Sequence, residues 1–336
     1  MLVHLATLND PYLDQPAAAF AGHASTDRVG AHALTDSPEL ADIILFTQCH
    51  MLLGDWRLRT IRGHPLTRAF PEKVMIYNEC DRPWCALPGV YVNMPQRHFV
   101  VEHQRPWGYF VPAQTATHDA PDLLFSFMGS NTASCRGDLF ALRHPDAIVE
   151  EVHGFRFWDA ASEGFEERRA RFRSTLARSR YVLCPRGNGT SSVRLYEVLA
   201  AGAVPVIISD DWVPPVGPPW EQFSIRWPEG QIAGLTDMLT ARDADWAGMR
   251  EAALRAHAEF FSSGVYFHHV ARLCAELLRS GSTTSFPARG VVDRHFASLA
   301  AANTRERIHY ALTLLRRKVK STRAWRRRRA RPGAGW

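Results

Sequence analysis

The chain has 336 residues, 46% of them hydrophobic, and a formal net charge of +6. That is enough length and apolar content for two domains with their own cores, and it excludes disorder as the general state. The charge is segregated: residues 305–331 hold twelve Lys or Arg and one acid, Glu306, which leaves a tail of +11 and a mildly acidic body of −5.

Six cysteines, at 49, 80, 85, 135, 184 and 274, form no repeated close pairs. They read as core thiols of a reducing compartment, and neither a zinc pattern nor a His-Glu-x-x-His helix is present, so no metal and no cofactor are expected. Residues 1–16 lack a basic leader followed by an apolar stretch, and no run of about twenty apolar residues occurs. A cytoplasmic protein is expected, peripheral on the cytoplasmic membrane face if the basic tail binds there.

In chain order, the apolar runs 41–47 (ADIILFT) and 73–77 (KVMIY) are short and rich in β-formers, as in buried parallel strands with helical crossovers. Residues 111–122 (VPAQTATHDAPD) are Pro-, Ala- and Thr-rich without period and read as a linker. The expected domains are therefore 1–115, an N-terminal Rossmann-like half, and 120–300, a C-terminal Rossmann-like half, followed by a basic tail at 301–336. In the second half an apolar strand at 123–128 ends at Gly129, and a helix follows from about Arg136 to Arg143. Residues 165–179 suit a surface helix.

The next segment is a complete βαβ unit: strand Tyr181–Cys184, loop PRGNGT (185–190), a helix capped by Ser191 or Ser192 and stopped at Gly202, then strand Val204–Ile208. The loop brings Arg186, Gly187, Gly189 and free N–H groups to a helix N-terminus, which suits a phosphate. Arg194 and Glu197 stand on one face of the helix, so a cation meets a diphosphate and a carboxylate below it can accept two ribose hydroxyls. The plainer alternatives are a tight turn and a surface ion pair. Beyond lies VPPVGPPW (213–220), a stiff loop at the carboxyl end of a strand, where ligands of open α/β sheets bind. Helices are expected over 231–239, 244–261 and 265–279.

The segment RSRYVLCPRGNGTSSVRLYEVLAAGAVPVIISDDW (178–212) resembles the donor-binding segment of exostosin-type glycosyltransferases, and LLFSFMGSNTASCRGDLFAL (123–142) resembles the strand, Gly loop and Arg-bearing helix that opens the same domain. The resemblance implies a GT-B fold, two Rossmann-like domains facing a central cleft. It further implies that Arg136, Arg186 and Arg194 face the diphosphate and that Glu197 faces the ribose. The 123–142 stretch and VMIYNECDRPW (74–84) are also similar to α1,3-fucosyltransferases, with Cys80 where those have Asn.

Such a protein moves a sugar from a nucleotide-diphosphate donor to a hydroxyl of a glycan or lipid-linked acceptor. Exostosin relatives imply UDP-sugars and the fucosyltransferase-like parts imply GDP-fucose. Inverting transfer needs a base for the acceptor hydroxyl and a cationic site for the leaving group. Glu79 is the first choice for the base, followed by Asp81 and Asp10, with His50, His98 and His103 as alternatives. Ser209, Asp210 and Asp211 read as turn caps or donor-sugar contacts, with Ser191 and Asp210 assigned to the donor side and no metal site at the paired aspartates. For the tail, an anionic membrane surface, a solvated disordered segment and a nucleic-acid patch are weighed; no nucleic-acid fold motif accompanies it. Two further function classes stand beside the transferase: a non-catalytic carbohydrate- or nucleotide-binding protein, and a Rossmann-type oxidoreductase or epimerase. The last lacks an N-terminal Gly-x-Gly-x-x-Gly.

Overall fold

The computed structural model describes residues 1–8, 15–47, 59–81, 83, 87–112, 121–152 and 164–281. The expected 301–336 tail lies outside them, as do most of the 111–122 linker, Asp10 and His50.

Short apolar runs between polar segments build two parallel sheets. The first contains β1 (Leu2–Ala6), β2 (Ala33–Leu34), β3 (Ile43–Phe46), β4 (Val74–Asn78), β5 (Gly89–Tyr91) and β6 (Gln104–Pro106) in the order β2-β1-β3-β4-β5-β6. The second contains β7 (Leu123–Gly129), β8 (Ala147–Glu151), β9 (Ser179–Pro185), β10 (Val204–Ile208) and β11 (Ile225–Arg226) in the order β11-β10-β9-β7-β8. Every ladder is parallel. β3 and β4 are buried along their whole length, because helices cover both faces of such a sheet. These are the two Rossmann-like α/β sheets that the GT-B resemblance implies.

Helices α1 (Gln15–Ser25), α2 (Arg59–Gly63) and α3 (Pro65–Ala69) accompany the first sheet. The second has α4 (Ser134–Leu139), α5 (Phe165–Ala177), α6 (Val193–Ala201), α7 (Trp220–Phe223), α8 (Leu235–Ala241) and α9 (Trp246–Ala256). α5 begins with Glu166 and Glu167 at its positive end. α6 ends at Gly202, whose φ of 69° is the left-handed conformation that closes a helix, and its N–H bonds back to Leu199 O. The N-cap position is Ser192, whose side chain makes no capping bond.

After α9 a single π turn (His257–Phe261) redirects the chain into α10 (Ser263–Arg279). α10 returns to the first sheet and packs on α1, β5 and β6, although its residues follow the whole second sheet in sequence. Its eight fully buried side chains, Tyr266 and Phe267 among them, supply the apolar stripe that this return requires. One continuous core consequently joins Val3, Phe20 and Tyr77 of the first sheet to Val182, Leu195 and Trp220 of the second. No helix among the described residues is long and apolar enough to cross a membrane.

Candidate active site

The carboxyl ends of β5 and β10 meet, and the chain segments that leave them are stitched together. Gln96 N–H donates to Asp211 O at 2.9 Å, Val213 N–H donates to Met94 O at 3.3 Å, and Pro95 pairs with Trp212 in an isolated antiparallel bridge. The PRGNGT loop that leaves β9 closes onto the same place. Its Ser191 N–H donates to Asn93 Oδ1 at 2.9 Å, and Asn93 Nδ2 donates to the Tyr109 hydroxyl and, at 3.5 Å, to Glu79 O. Gly189 sits so tightly there that a Cβ would stand 2.3 Å from Asn93 Oδ1 and 3.0 Å from Asp81 O, so only glycine fits.

Three arginines gather beside this loop. Arg136, on α4, is buried and donates to the backbone oxygens of Arg186 (2.8 Å), Ser130 (2.9 Å) and Pro185 (3.1 Å). Burial, reinforced by the like charges of Arg194 and Arg186, lowers its pKa to about 10. Arg194, on α6, lies over the rings of Phe127 and Phe172 and donates to Met128 O at 2.5 Å. Its Nε is buried without a partner, and burial lowers its pKa. Gly187 faces Arg136, and Gly129 faces Arg194. Arg186 reaches the other way and pairs with Glu229 through Nε at 2.7 Å, which raises its pKa.

Glu197 lies on α6 with its carboxyl largely enclosed. Burial raises its pKa, and the charges of Arg194 and Arg169 oppose the rise only in part. The adjacent aspartates diverge. Asp210 exchanges backbone bonds with Glu229, its N–H donating to Glu229 Oε1 at 3.1 Å and its Oδ1 accepting Glu229 N–H at 3.2 Å. Asp211 instead pairs with Arg97 of the first sheet at 3.1 Å. Ser209 donates its hydroxyl to Thr190 O and so fixes the loop from below. No group of three or more His, Cys, Asp or Glu among the described residues is placed to hold a metal ion.

Across the junction, Glu79 follows β4 and keeps a partly accessible edge while its carboxyl is enclosed by protein. Its Oε1 lies 2.6 Å from the Tyr77 hydroxyl, and burial raises its pKa despite that contact. Asp81, two residues on, is exposed. His98 and His103 belong to the connection between β5 and β6, where His98 is buried and takes a 3.3 Å bond from Arg97.

The structure thus brings Arg136, Arg186, Arg194, Gly187, Gly189, Ser191, Glu197 and Asp210 to one sheet edge and Glu79 and Asp81 to the opposing one. Sequence reasoning missed Asn93, Tyr109, Glu229 and Tyr266. It also missed Tyr77, which alone carried a usable signal, since it stands two residues before Glu79 at the end of β4.

Residues 106–241 match the Exostosin GT47 domain. A probable glucuronosyltransferase of Oryza sativa subsp. japonica is 32% identical over 108 residues, which are 32% of this chain and 25% of that protein. The Exostosin-1 homolog of Caenorhabditis elegans is 31% identical over 102 residues, 29% of this chain and 27% of its own length. The matched stretch therefore spans about a quarter of these relatives. A solved glycosyltransferase from Rickettsia africae ESF-5 aligns over 83% of this chain and 98% of its own, with 11% identity and a TM-score of 0.42. The exostosin resemblance of the 123–142 and 178–212 segments is borne out by the domain match.

Proposed function

We propose that this protein is a glycosyltransferase, a reading supported by the match of residues 106–241 to the Exostosin GT47 domain. It moves a sugar from a nucleotide-diphosphate donor to a hydroxyl of a glycan or lipid-linked acceptor, with inversion at the anomeric carbon. The observation that carries this reading is the gathering of Arg136, Arg186 and Arg194 beside the 185–190 loop, with the Glu79 carboxyl on the opposing sheet edge.

As the bond from the sugar to the diphosphate breaks, negative charge grows on the leaving oxygens. Preorganised guanidinium and backbone N–H groups stabilise that charge more in the transition state than in the ground state. Arg186 exchanges the Glu229 carboxylate for phosphate oxygens, trading one anion for another. The enclosed Glu197 carboxylate accepts the ribose hydroxyls beside Arg194. Asp210 stands at the rim for the donor sugar. Glu79 takes the proton of the acceptor hydroxyl as it attacks from the first-sheet side, opposite the leaving group. UDP is the favoured nucleotide and GDP the second, and the rice relatives' name adds a glucuronosyl donor to those worth trying. The basic stretch 305–331 holds the protein to an anionic membrane surface, near a lipid-linked acceptor.

The test incubates purified protein with UDP-, GDP- and CMP-sugars, with and without glycan acceptors, and follows released nucleotide and product configuration by NMR. Release with an inverted product is expected, and Glu79→Gln should bind nucleotide normally while turnover falls at least about a hundredfold. A nucleotide-induced thermal shift without release from any donor would leave a binding protein instead. Wild-type turnover in Glu79→Gln would remove Glu79 as the base. Equal liposome flotation with and without the residues after Ala301 would remove the membrane assignment.

A further inference from the structure

Three oxygen contacts form a single chain that runs from the part-buried Glu79 carboxyl into the core. Glu79 Oε1 lies 2.6 Å from the Tyr77 hydroxyl, which lies 2.5 Å from the Tyr266 hydroxyl, which in turn lies 2.7 Å from the carbonyl oxygen of Gly108. Each contact of this length needs one hydrogen between its two oxygens, because facing lone pairs repel strongly where water is excluded. A carbonyl only accepts, so the Tyr266 hydrogen is committed to Gly108. The Tyr77 hydrogen must then fill the contact with Tyr266. The hydrogen between Tyr77 and Glu79 has to come from Glu79.

We infer that Glu79 carries a proton in the resting protein, and that Tyr266 is a positioning residue that holds it there by claiming the Tyr77 hydrogen, so that α10 governs when the carboxyl ionises. The catalytic consequence rests on the reading of Glu79 as the base.

Among the described residues, the titratable groups that face the chain include His23 on α1, Asp81 after β4, Tyr109, Tyr196 on α6 and Tyr266 on α10. Burial lowers the pKa of His23, which disfavours its cationic form, and Asp81 adds an acid. Enclosure of the carboxyl favours the protonated form in the same direction as the hydrogen count.

A base must be ionised, so transfer falls as the pH drops through the raised pKa of Glu79. Ionisation turns the Tyr77 hydrogen toward the carboxylate and leaves the Tyr77–Tyr266 contact without one. Tyr266→Phe removes that conflict and should move the acid limb of the kcat profile down by about one pH unit. Tyr77→Phe removes the donor that steadies the carboxylate and should move the limb up by a similar amount. Opposite displacements from two adjacent phenols are not what a general loss of packing produces.

The proton itself is read without turnover, by infrared difference spectroscopy of wild type against Glu79→Gln at neutral pH. The glutamine amide refills the same contact, so the variant keeps its fold. The expected result is a protonated-carboxyl C=O band present in the wild type and lost in the variant. Carboxylate bands alone, or a limb that moves the same way or not at all in both tyrosine variants, would overturn the inference. Wild-type turnover in Glu79→Gln with the protonated band present would instead overturn the base reading and leave the proton assignment standing.

Discussion

Asn93, in the segment after β5, accepts the backbone N–H of Ser191 at the mouth of α6, 98 residues further along the chain, at 2.9 Å. The same side chain donates to the Tyr109 hydroxyl and to Glu79 O. One fully buried amide therefore ties the 185–190 loop side of the junction to the strand end that carries the proposed base.

Replacing Asn93 by Leu leaves the Ser191 N–H buried without an acceptor. A loss of stability of about 1–3 kcal/mol is expected. Urea denaturation measures it, and a nucleotide titration should show weaker binding, because the loop is no longer held in place. Unchanged affinity with lowered stability would confine Asn93 to folding.

Gly189→Ala places a methyl group where Asn93 Oδ1 and Asp81 O already stand. Asn93 is held by its bonds to Ser191, Tyr109 and Glu79, so the loop has to lift off the first sheet. Nucleotide affinity should fall at least about tenfold, while the melting temperature drops by only a few degrees. Isothermal titration and calorimetry on the same sample check the two effects separately.

Glu229→Gln breaks the pair with Arg186. Burial alone would raise the Glu229 pKa, but the Arg186 hydrogen bond, the Asp210 N–H and the Arg186 charge outweigh it and leave it lowered. A lowered folded-state pKa adds stability above the ordinary glutamate range, and that stability is lost as the pH falls through the folded value. The wild type should thus exceed the variant by about 1–3 kcal/mol at pH 7, and the gap should close as the pH falls below the ordinary glutamate range through the lowered folded value. Nucleotide diphosphate should bind the variant more tightly, since Arg186 has lost its competing anion.

Arg136→Lys keeps a charge but cannot serve three backbone oxygens in one plane. Stability should fall by about 2–4 kcal/mol, as buried carbonyls lose donors. Arg186→Lys, at a half-buried ion pair, should cost less. Chemical denaturation of the two variants side by side gives the comparison.

The second sheet was legible because its instructions are local. Strand Val204–Ile208 matches its apolar run residue for residue, and Gly202 marks the helix end that its left-handed backbone provides. In the first sheet, β5 and β6 are three residues each and have no period of their own. They become strands because neighbouring strands supply the ladder. The same distinction separates the site residues. Arg186, Gly189, Arg194 and Glu197 were readable because one short segment carries them. Glu229 meets Arg186 across 43 residues and Tyr266 meets Tyr77 across 189, so no local pattern encodes either contact.

The separation of Tyr77 and Tyr266 also bears on how the protein is made. At a synthesis rate of roughly 5–20 residues per second, the strand that carries Tyr77 leaves the ribosome about 10–40 s before the helix that covers it. During that interval the first sheet lacks α10 and presents an uncovered apolar face. The core of the first half is therefore closed only once the last described helix of the chain is in place.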